Sequence, residues 1–143
     1  MTALPVENVQ DYPRPPALEP VAERLRVVFG GVTIADTTRA LRILETHHAP
    51  TYYLPPEDIL MAALVPTSRE TFCEWKGRAA YFDIVLDTRR SRNAAWAYPA
   101  PVPRYAELKD HVSFYAGSVD EAWVGDIRVR SEERRVGKEC ATG

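Results

Sequence analysis

Apolar and polar residues alternate along much of the chain, a pattern with period two that predicts short β-strands. Residues 25–29 and 32–36 flank Gly30 and Gly31. Paired glycines adopt the positive φ angles that a two-residue hairpin turn requires. The segment therefore predicts a β-hairpin, with one apolar face formed by Leu25, Val27, Phe29, Val32 and Ile34.

A second hairpin is predicted over residues 69–87, where aromatic and β-branched residues occupy both arms. With Lys76 and Gly77 as the loop, Trp75 lies opposite Arg78. Alternation then separates an apolar face from a face that mixes acids with aromatics. The first holds Cys73, Trp75, Ala80, Phe82 and Ile84, and the second holds Phe72, Glu74, Tyr81 and Asp83.

The remaining segments add further strands and one short helix. Residues 38–46 fit an amphipathic helix as well as a strand, and the period alone does not decide. Two prolines and two acids at residues 55–58 are typical of a helix start and predict a helix over 59–64. Further short strands with closely spaced turn signals complete the prediction of a mainly β domain, at residues 94–98, 112–115 and 121–129.

Three segments divide the chain. Residues 1–21 hold five prolines and are expected to form an extended arm, and residues 22–129 form the β domain. Residues 130–140 read RSEERRVGKEC, which is the translation of a standard DNA-sequencing adapter. We therefore expect residues 130–143 to be a non-native tail and the domain to be truncated at its C-terminus.

The net charge and the lack of long apolar segments limit which binding partners and which compartment are expected. Without the four basic and three acidic residues of the tail, the formal net charge changes from −2 to about −3, so nucleic acid is not an expected partner. No segment approaches the roughly 20 apolar residues of a membrane span, and the N-terminus lacks the pattern of a signal peptide. A cytoplasmic protein without a membrane partner is expected, and its oligomeric state stays open.

Cys73 is the only cysteine outside the tail. A single thiol forms neither a disulfide framework nor a thiolate metal site, so we expect no metal and no cofactor. Strand alternation places Cys73 on an apolar face, where cysteine behaves as a small hydrophobic residue.

Three phrases of the sequence, TYYLP at 51–55, FCEWKG at 72–77 and AAWAYP at 94–99, carry a family resemblance. In this order they resemble the domain of unknown function family 427, also labelled nucleotidyltransferase-like or NTP_transf_9, over roughly residues 9–129. The resemblance implies a β-tent of antiparallel sheets with one short helix, similar to zinc-bearing methionine sulfoxide reductase B and to the ligand-binding domain of cereblon. It also implies a strand at residues 38–46.

The chain departs from the zinc-bearing relatives because it lacks their paired cysteine motifs, so no structural zinc is expected. The nucleotidyltransferase label finds no support in the residues. That chemistry needs closely spaced carboxylates for magnesium beside a glycine-rich phosphate loop. Gly30 and Gly31 are predicted to lie in a hairpin rather than before a helix, so they lack that geometry.

Acid–base chemistry has three candidate residues, Glu45, His47 and Glu74, with Arg39 or Lys76 to hold an anion. They would support a hydrolase or a transferase. Exposed strand acids and polar loop histidines are the alternative reading of the same residues. The adjacent His47 and His48 point to opposite faces of a strand, so they do not bind one metal together.

Aromatic residues with polar groups are numerous for a small domain, and such residues often line ligand pockets. We expect any pocket to form where Tyr53, Glu74, Trp75, Trp96 and Tyr98 converge, with Arg39 and Lys76 as charged contacts. The favoured function is binding of a small polar or nucleotide-like ligand. An enzyme and a protein-interaction module that uses a sheet edge and the proline-rich arm stay open as alternatives.

Overall fold

The computed structural model describes residues 8–46 and 48–129, and within them the chain forms eleven strands in three antiparallel sheets. This confirms the predicted fold class, mainly β with antiparallel sheets. The strands are β1 (Ala17–Pro20), β2 (Leu25–Phe29), β3 (Val32–Thr37), β4 (Leu41–Leu44), β5 (Thr51–Tyr53), β6 (Leu64–Cys73), β7 (Gly77–Leu86), β8 (Arg89–Ala97), β9 (Val112–Phe114), β10 (Glu121–Val124) and β11 (Ile127–Val129).

Helical structure in the described residues is confined to short 3-10 turns. They span Val9–Asp11, Pro56–Asp58, Met61–Ala63, Pro103–Leu108 and Ala116–Ser118. Of the helix predicted at 59–64, only Met61–Ala63 is helical, as a 3-10 turn, because the preceding backbone is bonded to β3 and Leu64 begins β6. Ile59 forms a β-bridge with Ala35, and the N–H of Leu60 donates to the carbonyl of Ile34 at 2.7 Å.

The first predicted hairpin is confirmed as β2 and β3, with Gly30 and Gly31 at φ angles of +61° and +77°. Its sheet has the order β11-β10-β2-β3. The apolar face differs from the prediction at Val32, which is 42% exposed. Val32 pairs with Phe29 at the turn end of the hairpin, and a register shift at Val27 and Val28 changes the alternation farther along β3, where Ala35 and Thr37 are buried.

The second hairpin joins β6 and β7, but the predicted loop was wrong. Glu74, Trp75 and Lys76 form the turn, and Gly77 pairs with Cys73 as the first residue of β7. The added loop residue moves Cys73 to the same side as Tyr81, whereas the prediction placed it beside Ala80 and Phe82. The turn therefore sends Lys76 into the interior instead of to the surface.

A central sheet with the order β6-β7-β8-β9 separates two apolar cores. Successive side chains of β8 point to the two cores in turn: Ala95 and Ala97 contribute to the larger core, and Trp96 contributes to the smaller one. The smaller core contains Ile43, Tyr53, Cys73, Ala79, Tyr81, Trp96, Tyr98, Tyr105 and Leu108.

The third sheet, with the order β1-β4-β5, brings the end of the proline-rich segment into the fold. Strand β1 pairs with β4, so the last residues of the predicted arm are part of a sheet. Strand β4 also lies within residues 38–46, where the family resemblance implied a strand. At the other edge, Leu54 and Val112 exchange two backbone hydrogen bonds of 2.8 Å and connect this sheet to β9.

Among the described residues, no helix combines the length and the hydrophobicity needed to cross a bilayer. The predicted non-native tail at 130–143 lies outside those residues, as does the candidate His47.

Candidate functional site

Three polar side chains come together on one face where the central sheet meets β5. Trp96 of β8 is paired directly with Ser113 of β9, so their side chains point to the same side. The bridge between Leu54 and Val112 brings Tyr53 to the adjacent register position. Tyr53, Ser113 and Trp96 therefore lie in a row across three neighbouring strands.

The rings around this row are closely packed. Tyr53 meets Trp96 edge to face with ring centroids 6.2 Å apart, and it meets Tyr98 at 6.1 Å with an interplanar angle of 47°. Tyr53, Trp96 and Tyr98, which we call the aromatic centre, are each at most 1% exposed. Tyr115 also packs on Trp96, with centroids 4.6 Å apart. The indole therefore contacts two tyrosine rings.

A buried ion pair borders the aromatic centre. The Nζ of Lys76 donates to Oε1 of Glu45 at 2.8 Å, and the two side chains are 0% and 12% exposed. The same Nζ lies 5.8 Å from the centre of the Tyr98 ring. Burial lowers the pKa of Lys76, and the negative charge of Glu45 acts in the opposite direction. The ammonium is thus held by one carboxylate and one aromatic face.

Three buried polar groups lack a hydrogen-bond partner within the described part of the chain: the Tyr53 hydroxyl, the Trp96 indole N–H and the Ser113 hydroxyl. Burial raises the pKa of Tyr53 well above its usual value, and the charges of Tyr98 and Glu45 add to the increase. Trp96 and Tyr98 both lie close enough to the Tyr53 hydroxyl to change its pKa, Trp96 lowering it and Tyr98 raising it, but neither contact has the geometry of a hydrogen bond. Buried polar groups are usually bonded, so the grouping of three on one face is unusual.

The structure brings together five of the residues predicted for a site, namely Glu45, Tyr53, Lys76, Trp96 and Tyr98. Trp75 is half-buried and packs against the same core. The aromatic phrases of the sequence therefore identified most of the aromatic centre. Sequence reasoning missed Ser113, because a serine between the apolar Val112 and Phe114 is expected to face solvent, whereas all three residues of β9 are buried.

Two predicted residues lie elsewhere. Glu74 is exposed in the turn between β6 and β7, because the turn is longer than expected. Arg39 binds Asp58 through two hydrogen bonds, of 3.0 Å and 3.3 Å, on a surface near β3. That carboxylate also accepts a hydrogen bond from Thr37. Arg39 is thus engaged in a local surface network and does not contact the aromatic centre.

The opposite face of the central sheet carries a separate apolar cleft of about 270 Å³. Its lining includes Ala80, Phe82, Ala97 and Val112, and Asp110 supplies the one charged side chain. Strand alternation places this cleft on the other side of the sheet from the aromatic centre.

Among residues 8–46 and 48–129, no group of three or more His, Cys, Asp or Glu side chains is placed to hold a metal ion. Cys73 is 2% exposed and packs in the smaller core, on the opposite face of the sheet from the one that alternation predicted. It is disulfide-bonded, which the expectation of an isolated thiol did not anticipate.

Comparison with known proteins places the chain in a family. A search of curated proteins found no match. The model of the family described as a domain of unknown function (DUF427), labelled NTP_transf_9, matches residues 17–125. This range begins at β1 and ends in the turn after β10, so it includes the aromatic centre and the Glu45–Lys76 pair. The chain belongs to the DUF427 family of domains of unknown function.

Proposed function

We propose that the domain binds a small polar molecule at the aromatic centre. The observation that carries this proposal is the grouping of three buried polar groups without partners: Tyr53, Trp96 and Ser113. They belong to neighbouring strands and share one face, so one molecule can contact all of them. A ligand with hydrogen-bonding groups would supply the missing partners.

The energetics support a ligand over simple core packing. Leaving one buried donor or acceptor without a partner costs roughly 1–3 kcal/mol, and this core holds three of them. Apolar residues of similar size at these positions would avoid the cost. Natural sequences depart from the pairing of buried polar groups mainly at functional sites.

Access to the aromatic centre requires a local opening. Trp96 and Ser113 are completely buried, whereas the side chain of Glu45 is 12% exposed. Glu45 lies between β4 and β5, and Lys76 lies in the turn between β6 and β7. The ligand therefore enters beside the Glu45–Lys76 pair, where two loops meet.

Binding fits the contacts better than acid–base catalysis does. The Glu45 carboxylate is engaged by Lys76 at 2.8 Å, and Glu74 is exposed outside the aromatic centre. A general acid or base must reach its substrate by a hydrogen bond, and these contacts support that role less well than they support binding.

The test is a thermal-shift screen of the full chain against nucleobases, nucleosides, nucleotides, amides and small organic acids. A ligand that raises Tm in the parent protein is then tested with Tyr53→Phe and Trp96→Phe, which remove one polar group each. Tyr52→Phe is the matched control, because Tyr52 is the strand neighbour of Tyr53 and packs in the larger core.

The expected result is a stabilising ligand whose effect persists in Tyr52→Phe and falls in both variants of the aromatic centre. A screen without any stabilising compound would contradict the proposal. So would a ligand whose effect is the same in all three variants, because that ligand binds elsewhere.

A further inference from the structure

We propose that the apolar cleft on the other face of the central sheet binds a small organic ammonium ion, with its apolar body in the cleft and its charged group beside Asp110. This site is separate from the aromatic centre and does not rest on the function proposed for that centre. It is supported by an open volume, an apolar lining and one exposed carboxylate.

The cleft exists because three short side chains lie in one row across the central sheet. Ala80 of β7 is paired with Ala97 of β8, and Ala97 is paired with Val112 of β9, so their side chains point to the same side. Phe82, two residues along β7, lies on the same face and forms a side of the cleft. The short side chains of the row leave a volume of about 270 Å³ above them.

The sides of the cleft are apolar and partly open to solvent. Pro56 and Met61 come from the 3-10 turns between β5 and β6, and Pro99 follows β8. Met61 is 37% exposed, and Pro99 is exposed as well. An apolar cavity of roughly 150 Å³ holds a benzene ring. The larger cleft therefore has room for one ring with a short chain, and a ligand enters it from solvent without the opening that the aromatic centre requires.

Asp110 is the one charged residue that lines the cleft. Its backbone has a φ angle of +60°, and its N–H donates to the carbonyl of Tyr98 at 3.3 Å, which holds it beside the end of β8. Its carboxylate is exposed, and none of the hydrogen bonds or ion pairs within residues 8–46 and 48–129 engages it. Four other aspartates each bind an arginine: Asp36, Asp58, Asp83 and Asp120. The Asp110 carboxylate is thus open to a cation from outside the chain.

The lining selects both the charge and the shape of the ligand. Asp110 repels a carboxylate or a phosphate, and no cationic side chain among the described residues of the lining offsets this repulsion. An ammonium group donates charge-assisted hydrogen bonds to a carboxylate, and these are stronger than neutral ones. An apolar body removes the surfaces of Phe82 and Met61 from water. The ligand class is therefore a primary amine that carries one ring or a branched aliphatic group of similar size.

Phenethylamine, 2-phenylethanol and 3-phenylpropanoate form a matched probe set. They share a phenylethyl group and are positive, neutral and negative near neutral pH. Dissociation constants are measured for the full chain by ligand-observed NMR titration at low salt. Phenethylamine is expected to bind about threefold to fivefold more tightly than the alcohol, which is the range of an exposed ion pair. The acid is expected to bind more weakly than the alcohol. High salt should reduce these differences, because exposed charges are screened.

Asp110→Asn removes the charge and keeps the shape, and asparagine tolerates the positive φ. Phenethylamine and the alcohol should bind equally to this variant. Asp87→Asn is the matched control and should keep the preference, because Asp87 is also exposed, has a φ of +52° and does not line the cleft. Ala80→Leu fills the cleft and should weaken all three probes by about tenfold or more. Tyr53→Phe, at the aromatic centre, should leave the affinities unchanged.

Equal or tighter binding of the alcohol or the acid would overturn the proposal. So would an unchanged preference in Asp110→Asn, undiminished binding in Ala80→Leu, or no binding of any probe. Asp110→Asn changes only an exposed side chain, so it decides the proposal even if Ala80→Leu does not fold. Each of these failures would leave the function proposed for the aromatic centre intact, because that function is tested through Tyr53 and Trp96.

Discussion

The ammonium of Lys76 donates a hydrogen bond to the carboxylate of Glu45, 31 positions earlier in the chain, and has no exposed surface. The contact joins the turn between β6 and β7 to the segment that follows β4. Two sheets are thereby connected through one ion pair beside the aromatic centre. The lost solvation of Lys76 is recovered only while Glu45 remains in place.

Lys76→Met is expected to destabilise the protein strongly, because it removes the buried cation that Glu45 binds. Removing one partner of a buried pair costs roughly 3–5 kcal/mol. Urea denaturation at neutral pH measures the change in the free energy of unfolding. In the double variant Lys76→Met with Glu45→Leu, most of the loss should be recovered.

The control for this prediction is Arg24→Met, which breaks the exposed pair between Arg24 and Asp36. Exposed pairs contribute about 0–1 kcal/mol, so this variant should be close to the parent. If Lys76→Met were as mild as Arg24→Met, the Glu45–Lys76 pair would not stabilise the fold.

Tyr53→Phe is expected to change stability and ligand binding in opposite directions. The Tyr53 hydroxyl is buried without a hydrogen-bond partner in the described residues, so its removal should be neutral or should stabilise the ligand-free protein by about 1 kcal/mol. Ligand binding should weaken in the same variant. Urea denaturation without and with ligand measures both effects, and destabilisation of the ligand-free protein would show that the hydroxyl has a partner.

The raised pKa of Tyr53 should also lower the free energy of unfolding in alkaline solution. Its pKa is raised in the folded state, so the native protein keeps a proton that the unfolded chain loses above pH of about 10. The contribution of Tyr53 to the free energy of unfolding is complete below that pH and decreases as the pH rises further. The alkaline loss of stability should be smaller in Tyr53→Phe than in Tyr52→Phe, as followed by urea denaturation between pH 8 and pH 11 (roughly the range that spans a tyrosine pKa).

The sequence predicted the residue types of the site better than its geometry. The aromatic phrases identified Tyr53, Trp96 and Tyr98, because such residues recur in pockets and alternate along strands. The burial of Lys76 was not predicted, because a loop of Lys76 and Gly77 would place it at the exposed tip of the hairpin, whereas the turn has three residues. Its partner Glu45 was distant in sequence, and long-range pairing of that kind leaves no periodic signal.

The lowered pKa of Asp83 should make the free energy of unfolding decrease as the solution is acidified. It is 4% exposed, and burial alone would raise its pKa. Hydrogen bonds from the Asn93 N–H at 2.7 Å and from Arg90 at 2.8 Å outweigh burial and hold the pKa below its usual value. The contribution is therefore present above the usual aspartate pKa of about 4 and is lost as the pH falls below it.

Asp83→Asn is expected to lose about 1–3 kcal/mol at neutral pH, the value of hydrogen bonds to a charged group. Its stability should then decrease less steeply than that of the parent as the solution is acidified. Urea denaturation at a series of acidic pH values gives both slopes, with the exposed turn variant Asp126→Asn as the control. Parallel slopes for Asp83→Asn and the parent would contradict the assignment.

A side chain at Gly77 is expected to destabilise the protein, because the backbone there has a conformation that favours glycine. Its φ angle is +110°, and an added Cβ would lie 3.5 Å from the carbonyl oxygen of Ala100, which is an ordinary contact. The cost of Gly77→Ala therefore comes from the backbone and is about 2–3 kcal/mol. Gly31→Ala, at a φ of +77° with no neighbour within 4 Å, should cost only about 1 kcal/mol. Thermal denaturation of both variants checks the order.

Tyr105 anchors the segment immediately before β1, and Tyr105→Phe should loosen that segment. The Tyr105 hydroxyl donates to the carbonyl of Pro16 at 2.7 Å in a buried setting, immediately before β1. Its removal leaves that carbonyl without its donor, so the expected loss is about 1–3 kcal/mol. Because β1 pairs only with β4 among the described strands, the backbone amides of β1 and β4 should exchange hydrogen faster, while those of β2 and β3 stay protected. Hydrogen-exchange mass spectrometry separates these peptides, and acceleration spread evenly over all sheets would mean that Tyr105 supports the whole core rather than this segment.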